Sequence, residues 1–244
     1  VFVFISSAAH SQITVTGSTG ADGNYTSLTG VTGAFNALNF IDQEGYSIVI
    51  TVTSDALSET GATALNSNGW HSLIIKPGAG VTAVISGAND SALISLNGAD
   101  SVTFDGSNNG TTSKDLTIRN TGDGSSIRFI NGASQDTVRS CILEGQTSSY
   151  GLGTIFFSTS EGFTGNSYNT IIGCDIRDRS DAAGVPTNAV YSYGTAGSEN
   201  SHNKISGCNI FNMTNAGVFV DDIGAGDGWI INPCSFYLTT EGIN

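Results

Sequence analysis

One short phrase, an eight-residue motif, occurs four times in the sequence: DTVRSCIL at 136–143, NTIIGCDI at 169–176, NKISGCNI at 203–210 and WIINPCSF at 229–236. Each copy has an aliphatic residue three places before its cysteine and an apolar residue two places after it. The four cysteines lie 33, 34 and 26 residues apart, so the phrase is constant while the chain between its copies varies in length. Repeats of this period are typical of a solenoid, in which each repeat buries its apolar face by stacking on the next.

A second short strand precedes each copy of the phrase. These companion segments read SIRF at 126–129, TIFF at 154–157, AVYS at 189–192 and GVFV at 217–220. Within the phrase, the cysteine and the aliphatic residue before it have opposite strand parity, so both face inward only if the chain bends between them. Gly173, Gly207 and Pro233 stand at that bend. Two strands meeting at a corner, together with the companion strand, predict a three-sided parallel β-helix.

These motifs also resemble a known group. The phrases N-x-I-x-G-C-x-I at 169–176 and 203–210, with the strand-rich run at 24–106, resemble the right-handed parallel β-helix (pectin-lyase-like) superfamily. Within it they are most similar to the large secreted surface proteins of Bacteroidota. The resemblance implies an all-β, right-handed parallel β-helix solenoid. Because the superfamily contains lyases, hydrolases, adhesins and spacers, it does not by itself imply one function.

The start of the chain predicts export. Residues 1–11 resemble the remnant of a signal peptide, with an apolar run followed by small residues at Ala9 and Ser11, before cleavage ahead of Gln12. No other apolar run approaches the length needed to span a bilayer. We therefore expect a protein that is secreted or held at the cell surface.

The solenoid itself is expected over 12–244. Its N-terminal end is predicted to be closed by a capping helix within 31–41, where Phe35, Leu38 and Ile41 recur at helical spacing, although an ordinary surface helix would show the same spacing. A fifth companion strand begins near the end of the sequence, so the solenoid is expected to be truncated at its C-terminus. Further domains of the same polypeptide are expected beyond residue 244.

Composition narrows the range of partners. A net charge of −13 and a pI near 4.2 argue against nucleic acid and anionic membranes, because both are bound through basic patches. The acidity suits an extended, soluble protein with exposed strand edges, and it also leaves calcium open as a cofactor. No other cofactor and no metal site are expected.

Two columns of residues share a position in successive repeats. The first is a predicted core ladder of four cysteines: Cys141, Cys174, Cys208 and Cys234. Stacked strands lie about 4.8 Å apart, whereas a disulfide needs Cβ atoms about 3.5–4.5 Å apart, which favours buried free thiols over disulfides or a metal site. The second column predicts a ladder of turn hydrogen bonds: Asp136, Asn169 and Asn203.

An outward stripe is the candidate ligand-binding surface. If the companion strands turn their aliphatic residues inward, Arg128 points outward below Phe156, Tyr191 and Phe219. Three exposed aromatic rings in a row would suit the faces of sugar rings. The same rings could equally pack under a folded-back loop, and this is the favoured alternative. Either way, a large apolar patch on a soluble protein indicates a partner or ligand.

Two clusters could support catalysis. Asp221 and Asp222 follow a companion strand and could provide paired carboxylates for glycoside hydrolysis, although turn residues give the same pattern. In the superfamily, polygalacturonases also carry His and Lys elements that are missing here. Arg177 and Arg179, with neighbouring acids, have the residue types of a lyase base beside calcium ligands. Surface ion pairs also produce that pattern.

The sequence therefore favours a non-catalytic surface module, a stalk or adhesin with a polysaccharide or surface glycan as its expected ligand. The regular repeats and the lack of a complete acid–base set support this hypothesis. The alternative is a polysaccharide lyase or glycoside hydrolase that works beside the aromatic stripe.

Overall fold

The structure is a computed structural model that describes residues 11–160, 162–221 and 226–243. The predicted signal remnant, except for Ser11, lies outside the described residues, and so does Asp222. The described chain winds into a parallel β-solenoid with one short helix, which confirms the predicted all-β fold. Within these residues, no helix combines the length and the apolar character needed to cross a membrane.

The described residues form a cap and then seven three-stranded coils. The cap consists of β1 (Ile13–Thr16), β2 (Gly23–Tyr25) and α1 (Ala34–Phe40). Coils one to three comprise β3 (Ser47–Val52), β4 (Ala56–Glu59), β5 (Leu65–Asn66), β6 (Ser72–Pro77), β7 (Ala83–Gly87), β8 (Ala92–Asn97), β9 (Val102–Asp105), β10 (Leu116–Asn120) and β11 (Ser125–Ile130). Coils four and five comprise β12 (Thr137–Arg139), β13 (Cys141–Gly145), β14 (Ile155–Ser158), β15 (Thr170–Ile172), β16 (Asp175–Asp178) and β17 (Asn188–Tyr193). Coils six and seven comprise β18 (Lys204–Ser206), β19 (Asn209–Phe211), β20 (Ala216–Val220), β21 (Ile230–Ile231), β22 (Ser235–Tyr237) and β23 (Glu241–Ile243).

Each side of the solenoid is one sheet. Sheet A takes the first strand of every coil, sheet B the second and sheet C the third, and strands of neighbouring coils pair in parallel. At the N-terminal end, β1 pairs antiparallel with both β3 and β2, so the edge of sheet A is covered there. The edge of sheet A is thereby moved to the three-residue strand β2, and a short edge strand offers little backbone to which another chain could add.

The corner between sheets A and B lies immediately before the cysteine, as the repeat predicts. Ser140, Gly173 and Gly207 occupy this corner with φ angles of 51°, 65° and 62°. This left-handed conformation turns the chain within one residue, and a side chain there costs roughly 1–2 kcal/mol. The fourth coil therefore carries strain at Ser140 that the next two coils avoid.

We expect Ser140→Gly to raise the free energy of unfolding by about 0.5–1 kcal/mol, because the strain that it removes outweighs the unfolded-chain entropy that glycine adds. Gly173→Ala, the reverse change one coil later, should lower the free energy of unfolding by about 1 kcal/mol. Chemical denaturation measures both. Two variants indistinguishable from the parent protein would contradict the assignment of strain to this corner.

The interior is built from columns of equivalent side chains. Two fully buried columns flank the cysteines: Val138, Ile171 and Ile205 on one side, and Leu143, Ile176 and Ile210 on the other. Phe129 and Phe157 stack within sheet C with ring centroids 4.5 Å apart. Because parallel strands repeat at about 4.8 Å, each side chain packs directly on its counterpart in the next coil.

The turn from sheet C to sheet A contains the predicted hydrogen-bond ladder. The Oδ1 atom of Asn169 accepts the Asp136 N–H at 2.9 Å, and that of Asn203 accepts the Asn169 N–H at 2.9 Å. The amide nitrogens of Asn169 and Asn203 donate to the carbonyls of Ala133 and Asn166. These bonds satisfy backbone groups in the interior, so the ladder prediction is confirmed.

The capping helix is shorter than predicted. Phe35 and Leu38 are buried in the core, in agreement with the predicted apolar face. The helix ends at Phe40, however, and Ile41 has extended backbone angles and an exposed side chain. Ile41 therefore does not belong to the buried helical face, and the match to helical spacing at that position was misleading.

A buried carboxylate fastens the segment before α1 to the first coil. Glu59, at the end of β4, accepts the N–H groups of Leu28 and Thr29, each at 2.6 Å. It also accepts the hydroxyls of Ser27 at 2.8 Å and Thr29 at 2.6 Å. Four donors converge on one side chain, which makes Glu59 the main polar link between cap and solenoid.

Candidate functional site

The outer face of sheet C carries the predicted stripe. Parallel pairing places Arg128 beside Phe156, Phe156 beside Tyr191 and Tyr191 beside Phe219. Their neighbours Ile127, Ile155, Val190 and Val218 face the core. Strand alternation thus produces an outward ladder that crosses four coils, as the sequence predicted. We call this ladder, with Tyr193 and Asp221 at its rim, the sheet C strip.

The rings of the sheet C strip stack on one another. Ring centroids are 5.7 Å apart for Phe156 and Tyr191 and 5.4 Å apart for Tyr191 and Phe219, with the planes tilted by 34° and 36°. Phe156 and Tyr191 are only 8% and 7% exposed, so these two rings do not form an exposed row, and the arrangement is closer to the favoured alternative in which the rings are covered. The reason is mutual shielding, together with the loop before β14, where a Cβ on Gly153 would lie 3.1 Å from that of Tyr191.

The first member of the ladder is a cation. The Arg128 guanidinium lies over the Phe156 ring, 5.5 Å from its centroid, and donates to the Ser158 hydroxyl at 2.7 Å. Burial lowers the pKa of Arg128. No carboxylate among the described residues forms an ion pair with it, so its charge is balanced only by hydroxyls and a ring face.

The far rim of the strip is polar. The Tyr191 hydroxyl donates to Asp221 Oδ2 at 3.1 Å. Burial, reinforced by that carboxylate, raises the pKa of Tyr191 to about 12, so the phenol stays protonated at neutral pH. Tyr193 lies two residues after Tyr191, on the same face of β17, and is 41% exposed. The sequence analysis missed Tyr193, although its strand parity matched that of Tyr191.

The candidate arginines lie on a different face. Arg177, in the outward row of sheet B, donates to the fully buried Glu144 at 2.8 Å, and Arg119 donates to the other oxygen of Glu144 at 2.5 Å. Arg179 binds Asp181 at 3.0 Å and Gln146 at 2.5 Å, and its hydrogen bond lowers the pKa of Asp181. Both arginines are therefore committed to carboxylates within sheet B.

The structure does not bring the candidate catalytic residues together. Asp221 lies at the rim of sheet C and is hydrogen-bonded to Tyr191, whereas Arg177 and Arg179 belong to the ion-pair network of sheet B. Asp222 lies outside the described residues. In the part of the chain that the structure describes, no three His, Cys, Asp or Glu side chains gather in a way that could hold a metal ion.

The cysteines form a column inside the coil. All four are free thiols; Cys141, Cys174 and Cys208 are buried, and Cys234 in the last coil is partly exposed. Burial raises the pKa of the Cys174 thiol well above its usual range, and a hydrogen bond with Cys174 raises the pKa of Cys208 to about 12. Protonated, buried thiols are poor nucleophiles, which gives this column a packing role.

A hydrogen bond with Cys208, together with burial, raises the pKa of Cys234 as well, so exposure is what distinguishes the four thiols. At neutral pH, a maleimide should modify the folded chain slowly at Cys234 and leave the other three thiols intact. After unfolding, all four cysteines should react. Mass spectrometry of intact protein counts the labels, and peptide mapping locates them. Rapid labelling of Cys174 in the folded chain would show that the column is not buried.

Comparison with known proteins adds little to this description. No protein-family model matches the chain, and no curated protein is similar to it. Among solved structures, the chain is similar to ORF18 of Geobacillus virus E2, with 16% sequence identity and a TM-score of 0.29. That alignment covers 86% of this chain and 55% of the viral chain, so the chain spans about half the length of that protein.

Proposed function

We propose that the chain is a non-catalytic module of an exported surface protein. It acts as a stalk or adhesin and binds a polysaccharide along the sheet C strip. The observation that carries this proposal is the strip itself. Arg128, which has no carboxylate partner among the described residues, begins a ladder of stacked rings that ends in a polar rim.

The chemistry of the strip suits a sugar polymer. Its members repeat along the solenoid axis at the strand spacing of about 4.8 Å, so a polymer that lies along this axis passes each of them in turn. Phe156 and Tyr191 shield each other and expose little surface. The accessible contacts then come from Tyr193, the half-buried Phe219 and the guanidinium of Arg128. These side chains offer apolar ring surface beside hydrogen-bond donors and an acceptor.

The positions of the ionisable residues favour binding over turnover. A lyase site would need an arginine base beside its acids, whereas Asp221 lies at the rim of sheet C and the candidate arginines lie at sheet B. Asp222, the second candidate carboxylate for hydrolysis, lies outside the described residues. Arg177 and Arg179 already hold Glu144 and Asp181. The raised pKa of Tyr191 also disfavours a phenolate base at this strip.

A glycan array, followed by depolymerisation assays, tests the function. The parent chain should bind one or more polysaccharides and leave their length unchanged, including polygalacturonate and alginate with and without calcium. Tyr193→Ala and Arg128→Gln should weaken binding about tenfold or more, the equivalent of roughly 1.4 kcal/mol. Tyr237→Ala is the matched control, because Tyr237 is similarly exposed, at 46%, but lies on sheet B.

Polymer shortening by the parent chain would overturn the non-catalytic assignment and favour the lyase or hydrolase alternative. If Tyr193→Ala, Arg128→Gln and Tyr237→Ala all bind as strongly as the parent chain, the sheet C strip is not the binding site. If no polysaccharide on the array binds, the proposed polysaccharide binding is wrong, and only the stalk role is left.

A further inference from the structure

The outward face of the capping helix carries an aromatic ring that none of the described residues covers. Phe40, the last residue of α1, is 86% exposed, which is unusual for a phenylalanine beside a well-packed core. Asn36 lies one turn earlier on the same face, because residues four apart are neighbours on a helix. An amide and an aromatic ring therefore point to solvent side by side.

A shallow cavity lies between this helix face and the end of the first coil. Its volume is about 380 Å³, within the range of small-ligand sites. Phe40, Asn36 and Asn39 line it from the helix, and residues 62–64 with Asn66 line it from the coil. None of these described lining residues is charged.

One of the three asparagines of the cavity connects its two walls by hydrogen bonds, and the other two have free amide groups. Asn39 uses both ends of its amide, because it donates to the Ala64 carbonyl at 2.8 Å and accepts the Asn66 N–H at 3.0 Å. Asn66 accepts the Asn97 amide through its oxygen at 2.8 Å, which leaves its own NH₂ group without a partner among the described residues. Asn36 is exposed, and its whole amide is without a partner there.

We infer that this cavity binds a neutral pyranose sugar. The apolar face of the ring packs on Phe40, and the free amides of Asn36 and Asn66 bind its hydroxyls. An amide can both donate and accept, which matches the dual character of a hydroxyl group. The uncharged lining selects a neutral ligand on a protein whose net charge is −13. This site lies at the opposite end of the solenoid from the rim of the sheet C strip and does not depend on it.

Saturation-transfer NMR with the intact chain tests the inference. The probes are the methyl glycosides of glucose, galactose, mannose and N-acetylglucosamine, each at millimolar concentration. At least one should receive saturation and shift the side-chain amide signals of Asn36 and Asn66. Phe40→Ala should weaken binding about tenfold or more, Asn36→Ala should weaken it, and Phe40→Trp should retain it.

Val31→Ala is the matched control, because Val31 is an exposed apolar residue of the cap, at 70%, outside the cavity. Tyr193→Ala should also leave glycoside binding unchanged, so a failure of the sheet C strip and a failure of this site can be told apart. The inference is overturned if none of the four glycosides binds, or if Phe40→Ala binds as the parent chain does. Self-association that Phe40→Ala abolishes, without glycoside binding, would instead identify a protein interface.

Discussion

Replacing Asp136 by asparagine is expected to raise the free energy of unfolding by about 2 kcal/mol at neutral pH. Asp136 occupies the ladder position that asparagine fills in the next two coils. Its Oδ1 accepts the Val102 N–H at 2.8 Å, but its Oδ2 is buried without a hydrogen-bond partner among the described residues. By the ladder repeat, Oδ2 takes the place of an amide nitrogen that donates to a carbonyl.

An ionised Oδ2 cannot donate, so the folded protein favours the protonated acid. Burial raises the pKa of Asp136 well above its usual value, and the nearby charge of Asp100 acts in the same direction. The folded state therefore binds more protons than the unfolded state above about pH 4, the ordinary pKa of aspartate. Stability falls as the pH rises from there to the folded-state pKa. Asp136→Asn has no such slope.

Thermal and denaturant unfolding between acidic and neutral pH measures this effect. Asn169→Asp is the matched control, because it places the same acid one coil later and should destabilise the protein as the pH rises. If Asp136→Asn is no more stable than the parent at neutral pH, or if it keeps the parent's pH dependence, the ladder argument is wrong.

Removing the Glu59 side chain is expected to lower the free energy of unfolding by about 3–5 kcal/mol. In Glu59→Ala, the N–H groups of Leu28 and Thr29 lose their acceptor, and both residues are fully buried. Each unsatisfied donor costs about 1–3 kcal/mol. The segment before α1 would also lose its attachment to β4, so hydrogen exchange should accelerate first in the cap.

Glu44→Ala provides the control, since Glu44 is an exposed acid of the same region. It should unfold within about 0.5 kcal/mol of the parent chain. The stability of Glu59→Gln should fall between those of the two alanine variants. Its amide keeps one acceptor oxygen, but its NH₂ group would face N–H and O–H groups that are themselves donors. A Glu59→Ala variant as stable as Glu44→Ala would show that the cap is held by its apolar contacts alone.

The repeat arithmetic predicted the parts of the fold that depend on registration between coils. Cysteines that share one position in each repeat had to stack on one another. The aliphatic residue three places before each cysteine would face the other side of a straight strand, so a corner had to lie between the two for both to face inward. The outward ladder from Arg128 to Phe219 followed from the same alternation, because a slip of one residue would turn every side chain to the other face.

Contacts that do not recur from coil to coil could not be predicted in this way. Glu59 meets the segment at Ser27–Thr29, which lies outside the repeats and shares no spacing with them. The pairing of Arg177 with Glu144 depends on neighbours one coil apart, and Glu144 has no counterpart at that position in the next coil. The exposure of a side chain also depends on what packs over it, so the ladder register alone could not decide between exposed and covered rings at Phe156 and Tyr191.

The central claim is that a polysaccharide lies along the outer face of sheet C and is not cleaved there. The most direct measurement is the change in backbone amide NMR shifts on adding the polysaccharide that the glycan array retains best. The account predicts shifts along β11, β14, β17 and β20, little change in β13, β16 and β19, and an unaltered polymer length. Shifts confined to sheet A or sheet B, or a shortened polymer, would contradict it.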